Sequence, residues 1–360
     1  MKLHYAAILS VCALAGACAS HAKGEAAASA PAETPAVAGA LPPSNPNEVY
    51  RPPKQKEEAA PVAKPARPKK TSITIEASAM QLGDVIRRVG EQAGGNVVLM
   101  GGVEGRIANN LDITRRALAD AVPMIANAGN VAVEKHPHYF FFFPEGYEQL
   151  LNVSLAGRLD TRYSEIKTDA VFGSGLPLCS VFMWMSYALK VSIVADNSVG
   201  DAQCGELALK QVPLDTAIEA ILKSARIAAV QVESTPDYIF LSTPQNTNPK
   251  SALLEESSLD EQQKALLGKQ VTLALPYPLR TGQPLELPLK PSPLSDVLPA
   301  LSEQVGVRVV VEKGLEKFPV NPYFVKNVTL REALDLLVRQ WLEPNYGYQV
   351  LADRIVIRRR

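Results

Sequence analysis

No apolar run in this 360-residue chain reaches the roughly 20 residues that a membrane-crossing helix requires. An excess of one charge is missing too: 37 basic side chains face 37 acidic ones, for a formal net charge of zero. Nucleic-acid binders usually carry a large basic surplus, so no nucleic-acid partner is expected. Cysteine is scarce, at four residues, with no Cys-x-x-Cys pair and no Cys/His cluster, so no metal site is expected. The Gly-x-Gly-x-x-Gly turn, the Walker-type loop and His-Glu-x-x-His are absent as well. Ser174 in "FGSGLP" lacks the nucleophile-elbow spacing, and the Ser-x-x-Lys spacing of Ser164 and Lys167 arises easily by chance. Glu255 and Glu256 lie in a polar stretch and read as solvated. We therefore expect no catalytic residue and no cofactor, and a chain that is not an enzyme.

What the sequence does have begins at its start. Lys2 and His4 precede the apolar run "AAILSVCALAGA", the length of a secretory leader. It ends in "LAGAC", which resembles the lipobox of bacterial lipoproteins, with Ala15 where the strongest examples carry Leu. The resemblance implies a signal peptide over residues 1–18 and lipid attachment at Cys18. Ala19 and Ser20 follow, rather than an Asp, which implies an outer-membrane location with the folded part facing the periplasm. Ordinary cleavage nearby, leaving a soluble periplasmic protein, is the alternative. Cys179 and Cys204 then remain, and an even pair in an oxidising compartment points to one disulfide, the alternative being two free buried thiols.

Residues 19–70 are Ala, Pro, Lys and Glu with almost no aliphatic pattern, so we expect a disordered linker serving as a tether. Its Lys and Arg could touch peptidoglycan.

The rest is repetitive. "QLGDVIRRVGEQAGGNVVL" from Gln81, "PLCSVFMWMSYALKVSIVA" from Pro177 and "PLSDVLPALSEQVGVRVVV" from Pro293 align without a gap. Each carries the apolar spacing of an amphipathic helix and then a Val/Ile strand, with Gly94 and Gly306 as helix stops. Asp84 and Asp296 fall near the helix starts, where a carboxylate meets the positive dipole end. "TRRALADAVPMI", "LDTAIEAILKSA" and "LREALDLLVRQW" form a second aligned helix, preceded by one strand and followed by two. The expected fold class is α+β, as three tandem β-α-β-β-α-β-β domains over residues 71–147, 155–244 and 270–360. Residues 245–269 are expected to be a linker with one short helix, started by a Ser258/Glu261 capping box and stopped by Gly268. "YFFFFP" takes the closing-strand position of the first unit, and a strand buried on both faces reads as such a continuous run. His136 and His138, on either side of Pro137, fall in the preceding turn.

The repeated unit resembles the short N-terminal domain of secretins and TonB-dependent receptors, over about residues 72–358. The residues that carry the resemblance are the Leu-x-Asp-Val helices at Leu82 and Leu294 and the second helices at Ala117, Ala217 and Ala333. The second unit departs most, lacking the Asp and the glycine stop. Family domains of this kind stack into rings around a periplasmic channel and dock assembly partners. The resemblance implies a non-enzymatic accessory lipoprotein of a secretion, type IV pilus or conjugation complex, with secretin-like channel subunits as partners and a homo-oligomeric ring as one assembly. No secretin or receptor barrel segment follows the third unit in this sequence. The alternative is a periplasmic binding or signalling module of the TonB-receptor type. Arg358, Arg359 and Arg360, on the last strand, are the candidate docking residues: at a sheet edge they would deter self-pairing and attract an acidic partner. A solvated tail is the plainer reading.

Overall fold

The computed structural model describes residues 72–94, 96–275 and 287–360; the expectations for Cys18 and the 19–70 linker lie outside them. The described residues fall within one compact unit, Arg67–Arg360, of mixed α+β class with several small sheets. The first segment runs β1 (Ile73–Gln81), α1 (Leu82–Ala93), β2 (Val97–Leu99), β3 (Ile107–Arg116), α2 (Leu118–Gly129), β4 (Ala132–Lys135) and β5 (Phe140–Phe143). The second runs β6 (Lys167–Phe172), α3 (Leu178–Leu189), β7 (Ile193–Ala195), the short α4 (Asn197–Gly200), β8 (Leu207–Pro213), α5 (Leu214–Ser224), β9 (Gln231–Ser234) and β10 (Ile239–Ser242). After α6 (Glu261–Leu267), the third opens with β11 (Gln270–Ala274), β12 (Ser292–Pro293), α7 (Leu294–Val305), β13 (Arg308–Val311) and β14 (Pro319–Val320). It closes with β15 (Phe324–Thr329), α8 (Leu330–Arg339), β16 (Tyr346–Val350) and β17 (Arg354–Arg359).

Local chemistry repeats along with the order. Gly94 and Gly306 end α1 and α7 in the left-handed conformation, at φ 82° and 75°. Lys190 takes that conformation at the end of α3, its ammonium lying 4.0 Å from the Tyr187 ring centre. The recurring glutamines also have a structural role. Gln92 and Gln304 each bond both backbone groups of a ribbon residue, Thr74 and Thr272, at 2.8–3.0 Å. Each ribbon (β1–β3, β6–β8 and β11–β15) is antiparallel and slips register at one bulge. The bulge puts Arg115, Gln211 and Asn327 at φ near 50°, each two residues before the N-cap of the following helix.

Closing strands β5, β10 and β17 pair parallel with β2, β7 and β13 and antiparallel with β4, β9 and β16. "YFFFFP" is thus an inner strand, with Phe141, Phe142 and Phe143 all buried and the rings of Phe141 and Phe143 stacked 5.2 Å apart. His136 lies in the turn before it, stacked on Tyr139 at 4.6 Å, and burial holds its pKa below the ordinary histidine value.

Segments are joined through these sheets. The ribbon of the second segment adds to the first segment's sheet, with β8 against β2, giving the order β4-β5-β2-β8-β6 and a core that runs from Ile73 to Leu241. The sheet β7-β10-β9 is a wall between two cores. Ile193, Ile239 and Leu241 face back into the first, while Val194, Tyr238 and Phe240 belong to a second core shared with α7 and α8.

One helix position decides how each sheet edge is satisfied. The ninth residue is Gly90 in α1, Ser186 in α3 and Ser302 in α7. The Ser186 hydroxyl takes the Ile193 N–H at 2.9 Å and donates to the Phe182 carbonyl of its own helix at 2.7 Å, with the Ile193 carbonyl also within reach at 3.2 Å. Ser302 takes the Val309 N–H in the same way at 2.9 Å and donates to the Leu298 carbonyl at 2.9 Å. Val97, the corresponding residue in the first segment, pairs instead with Ala208 of β8. A Cβ at Gly90 would lie 2.5 Å from the Ala208 Cβ, so only glycine admits that strand. The hydroxyl and the added strand are alternative partners for one edge.

The segment before α6 also packs. Leu253 bridges in parallel to Tyr348, and Asp335 accepts from the Ala252 N–H at 2.7 Å, so residues 252–254 flank the outer edge of β16. The α6 capping box is Asp260 with Gln263, two residues beyond the Ser258/Glu261 pair expected from sequence. Ser258 instead donates to the Glu255 carbonyl at the end of a short 3-10 turn.

Gly90→Ala should lower stability by about 1–3 kcal/mol despite Ala's better helix propensity, because two methyl groups would contest one site. Adding Ala208→Gly should recover much of the loss. Chemical denaturation of the two variants checks this, and a Gly90→Ala protein as stable as the parent would rule out the steric account.

Candidate docking surface

Two interior junctions show what each sheet's outer face accepts. Count from the residue capping the second helix: Ala117 for α2, Pro213 for α5 and Thr329 for α8. The sixth and tenth residues onward are Glu219 and Lys223 in α5, and Asp335 and Arg339 in α8. In α2, which covers no earlier segment among the described residues, they are Pro123 and Asn127. An acid and a base at these positions therefore go with the helices that cover an earlier segment. In α5 the two pair with each other, whereas in α8 Arg339 bonds Glu233 and Asp335 bonds the Ala252 N–H.

At the first junction the buried Lys223 ammonium meets Glu219 at 2.7 Å and lies 5.9 Å from the Tyr139 ring. Glu219 also accepts from the Tyr139 hydroxyl at 3.0 Å and the Leu155 N–H at 3.2 Å, so its lone pairs are well used. Burial and that carboxylate push the Tyr139 hydroxyl far above the ordinary tyrosine value. Arg87 of α1 adds a forked pair to Glu206, just before β8, at 2.9 and 3.1 Å. At the second junction Arg339 lies 4.2 Å from the Phe240 ring centre and donates to Glu233 at 2.8 Å. Glu233 also accepts from Tyr238 at 2.6 Å. Burial raises the Glu233 pKa, but the Arg339 and Tyr238 bonds outweigh it and the carboxyl sits below its usual value. Asp335 goes the other way: burial dominates and pushes it up to about 6, against the pull of Ala252 N–H, Tyr348 and two arginines.

The third sheet has the same frame but no helix on its outer face among the described residues. Its closing strand β17 is the middle of the order β13-β17-β16, not an edge, which corrects the sequence expectation. The physical reason is the parallel pairing to β13, which places β17 between two strands just as in the earlier sheets. The three terminal arginines diverge. Arg358 stands on the outer face and bonds Gln349 at 3.0 Å; Arg360 folds onto the Tyr346 carbonyl at 3.0 Å; Arg359 is exposed at the strand end. Alternation brings Arg354, Val356 and Arg358 to one face, with Val310 of β13 and Gln349 of β16 beside Val356. The sequence reading missed Arg354, Val310, Val356 and Gln349, although the strict alternation in "RIVIR" was the available signal.

The expected Cys179–Cys204 disulfide is not formed: both are free and buried. Backbone register separates them. Cys204 N–H bonds the Leu176 carbonyl and Leu178 N–H the Ala202 carbonyl, so Cys179 falls beside Gly200 and Asp201 rather than opposite Cys204. Burial raises both thiols to about 11, which keeps them protonated and poorly nucleophilic near neutral pH.

Among the described residues no group of three or more His, Cys, Asp or Glu could hold a metal ion, and no helix is long and apolar enough to cross a membrane. A surface depression of about 280 Å³ lies between α6 and the start of α8, its wall carrying the Arg331–Glu256 pair at 2.7 Å and Lys264, which pairs with Glu261 at 2.8 Å. Comparison with protein-family models, curated proteins and solved structures finds no match to this chain.

Two outcomes test the junction electrostatics. Lys223→Met leaves Glu219 buried without its cation and should cost about 3–5 kcal/mol, while Lys223→Met with Glu219→Gln should cost clearly less; equal losses would refute the pairing. For Asp335, the raised folded pKa means stability is fully present below about 3.8 and is lost as pH rises through about 6. Relative to Asp335→Asn, the parent should therefore lose about 2 kcal/mol between pH 4 and pH 7. Denaturation midpoints at several pH values measure it, and parallel profiles for the two proteins would contradict it.

Proposed function

We propose that residues 71–147, 155–244 and 270–360 are three copies of one unit of the secretin N-domain type. On this reading the chain is a non-enzymatic docking lipoprotein of an envelope-spanning secretion, type IV pilus or conjugation complex. Cys18 carries the lipid, residues 19–70 are the tether, and the stacked units face the periplasm, where they meet secretin-like channel subunits.

The observation that carries this reading is the way the segments use their sheets. Two successive outer faces are landing sites for the helix of the next segment, and the third carries arginines and half-buried valines. Stacked units whose contacts run mainly between neighbours, with a differentiated terminal face, suit assembly work. The short apolar leader ending in "LAGAC" supports the membrane anchor, and the Pro/Ala/Lys stretch after it supports a spacer.

Cys18→Ala should release the protein from washed outer membranes into the soluble periplasm and abolish labelling by a fatty-acid analogue. Equal retention with undiminished label would overturn the anchor. The tagged full chain, extracted in mild detergent, should elute at a mass far above that of one chain. Elution as a single chain would favour the binding or signalling module.

A further inference from the structure

We propose that the outer face of the sheet β13-β17-β16 is a docking surface for an acidic amphipathic helix of a partner protein. This deepens the docking reading above by naming the surface and the partner's chemistry, and it rests on that reading.

The three outer faces correspond position by position. Each closing strand pairs with its parallel neighbour in the same register, Val97 with Phe140, Ile193 with Ile239 and Val309 with Ile355. The outer-face residues that follow from this are Tyr139 and Phe141 in the first sheet, Tyr238 and Phe240 in the second, and Arg354 and Val356 in the third. On the antiparallel side, Glu134 stands opposite Phe141, Glu233 opposite Phe240 and Gln349 opposite Val356.

The first two faces thus offer a tyrosine, a phenylalanine and a carboxylate. The helix that lands on each brings a cation: Lys223 near Tyr139, and Arg339 on Phe240 and Glu233. On the third face the polarity is inverted. Arginine replaces tyrosine, glutamine replaces glutamate, and Arg358 replaces Phe143 and Ser242. Arg308 of β13 stands beside Arg354, whose salt bridge is to Asp353 at 3.8 Å with both largely exposed. Arg358 bonds neutral Gln349, and Glu312 of the same face takes the Arg359 N–H at 3.0 Å. A helix like α5 or α8 would set its cation against these arginines, so the face rejects the chain's own pattern.

What fits instead is a helix with a narrow apolar stripe for Val310 and Val356, which are only half-buried, flanked by carboxylates. Arg354 and Arg358 lie four residues apart on one face, about 13 Å along the strand. Carboxylates on two or more helical turns can meet both. Such pairing makes association fast and salt-sensitive. A second copy is a poorer occupant: the corresponding helix face of α2 carries Pro123 and Asn127, with Asp120 as the acid in its first turn.

The test uses the full chain and two fluorescein-labelled helical peptides with the same leucine stripe, one flanked by glutamates and one by lysines. Fluorescence anisotropy should show the glutamate peptide binding at least tenfold more tightly than the lysine peptide, and weakening as salt rises. Arg354→Glu with Arg358→Glu should reverse that preference while circular dichroism and the denaturation midpoint stay put. Arg359→Ser with Arg360→Ser should leave the affinity unchanged. Equal binding of both peptides, or an unaltered preference in the charge-reversed variant, overturns the proposal. So does a concentration-dependent dimer that the charge reversal abolishes, which would make a second copy the occupant. The native complex separates this surface from the docking reading. If the charge-reversed protein still elutes with the large assembly, this face is wrong and the reading survives. If the parent elutes as a single chain, the reading itself fails.

Discussion

The architecture depends on one constraint: a three-stranded mixed sheet with apolar residues on both faces needs a cover on each. Its own two helices protect only the inner face. Ile239 and Leu241 point one way from β10 and Phe240 the other, so a lone segment would leave a large aromatic ring in water. Placing the next segment's second helix on that face, with its ribbon along the sheet edge, solves the problem and creates the stack. The buried Glu219–Lys223 and Glu233–Arg339 pairs follow from it, because the helix that supplies apolar cover also brings polar side chains into a dry seam. Their bonds to Tyr139 and Tyr238 offset the cost of desolvation.

Much of this was legible in the sequence. The three helix–strand frames lined up because Leu82, Leu178 and Leu294 begin amphipathic periods of the same length, and each helix lies where expected. The "YFFFFP" strand was readable because burial on both faces removes alternation. Gly94 and Gly306 announced their stops, whereas Lys190 adopts the same left-handed turn with no compositional sign. The bulges at Arg115, Gln211 and Asn327 were hidden for the same reason, since only asparagine among them has a marked tolerance for that conformation.

The less legible parts depend on which strand lies beside which, and periodicity within one segment says nothing about that. The cysteine pair looked bonded from its even count, yet strand register sets Cys204 against Leu176. The terminal arginines looked like an edge decoration, yet β17 lies inside its sheet and the arginine that joins Arg358 on the open face is Arg354. Gly90 passed as one more small helical residue. Its meaning emerges only when Ala208, far along the chain, is found against it.

The Gly90, Ser186 and Ser302 series also bears on how the molecule comes apart. Where Gly90 admits β8, the first two segments share a continuous sheet, and backbone bonds cross the boundary. Where Ser186 closes its own edge, the next ribbon reaches it through a side chain, with Lys326 N–H donating to the Ser192 hydroxyl at 3.1 Å. The two seams therefore couple their neighbours unequally, as in a row of linked elements with one stiff and one soft joint. One backbone bond, Asn197 N–H to the Gln340 carbonyl at 2.8 Å, also crosses the second seam, but outside any sheet. Opening fluctuations should therefore concentrate there and leave the first two segments to unfold together.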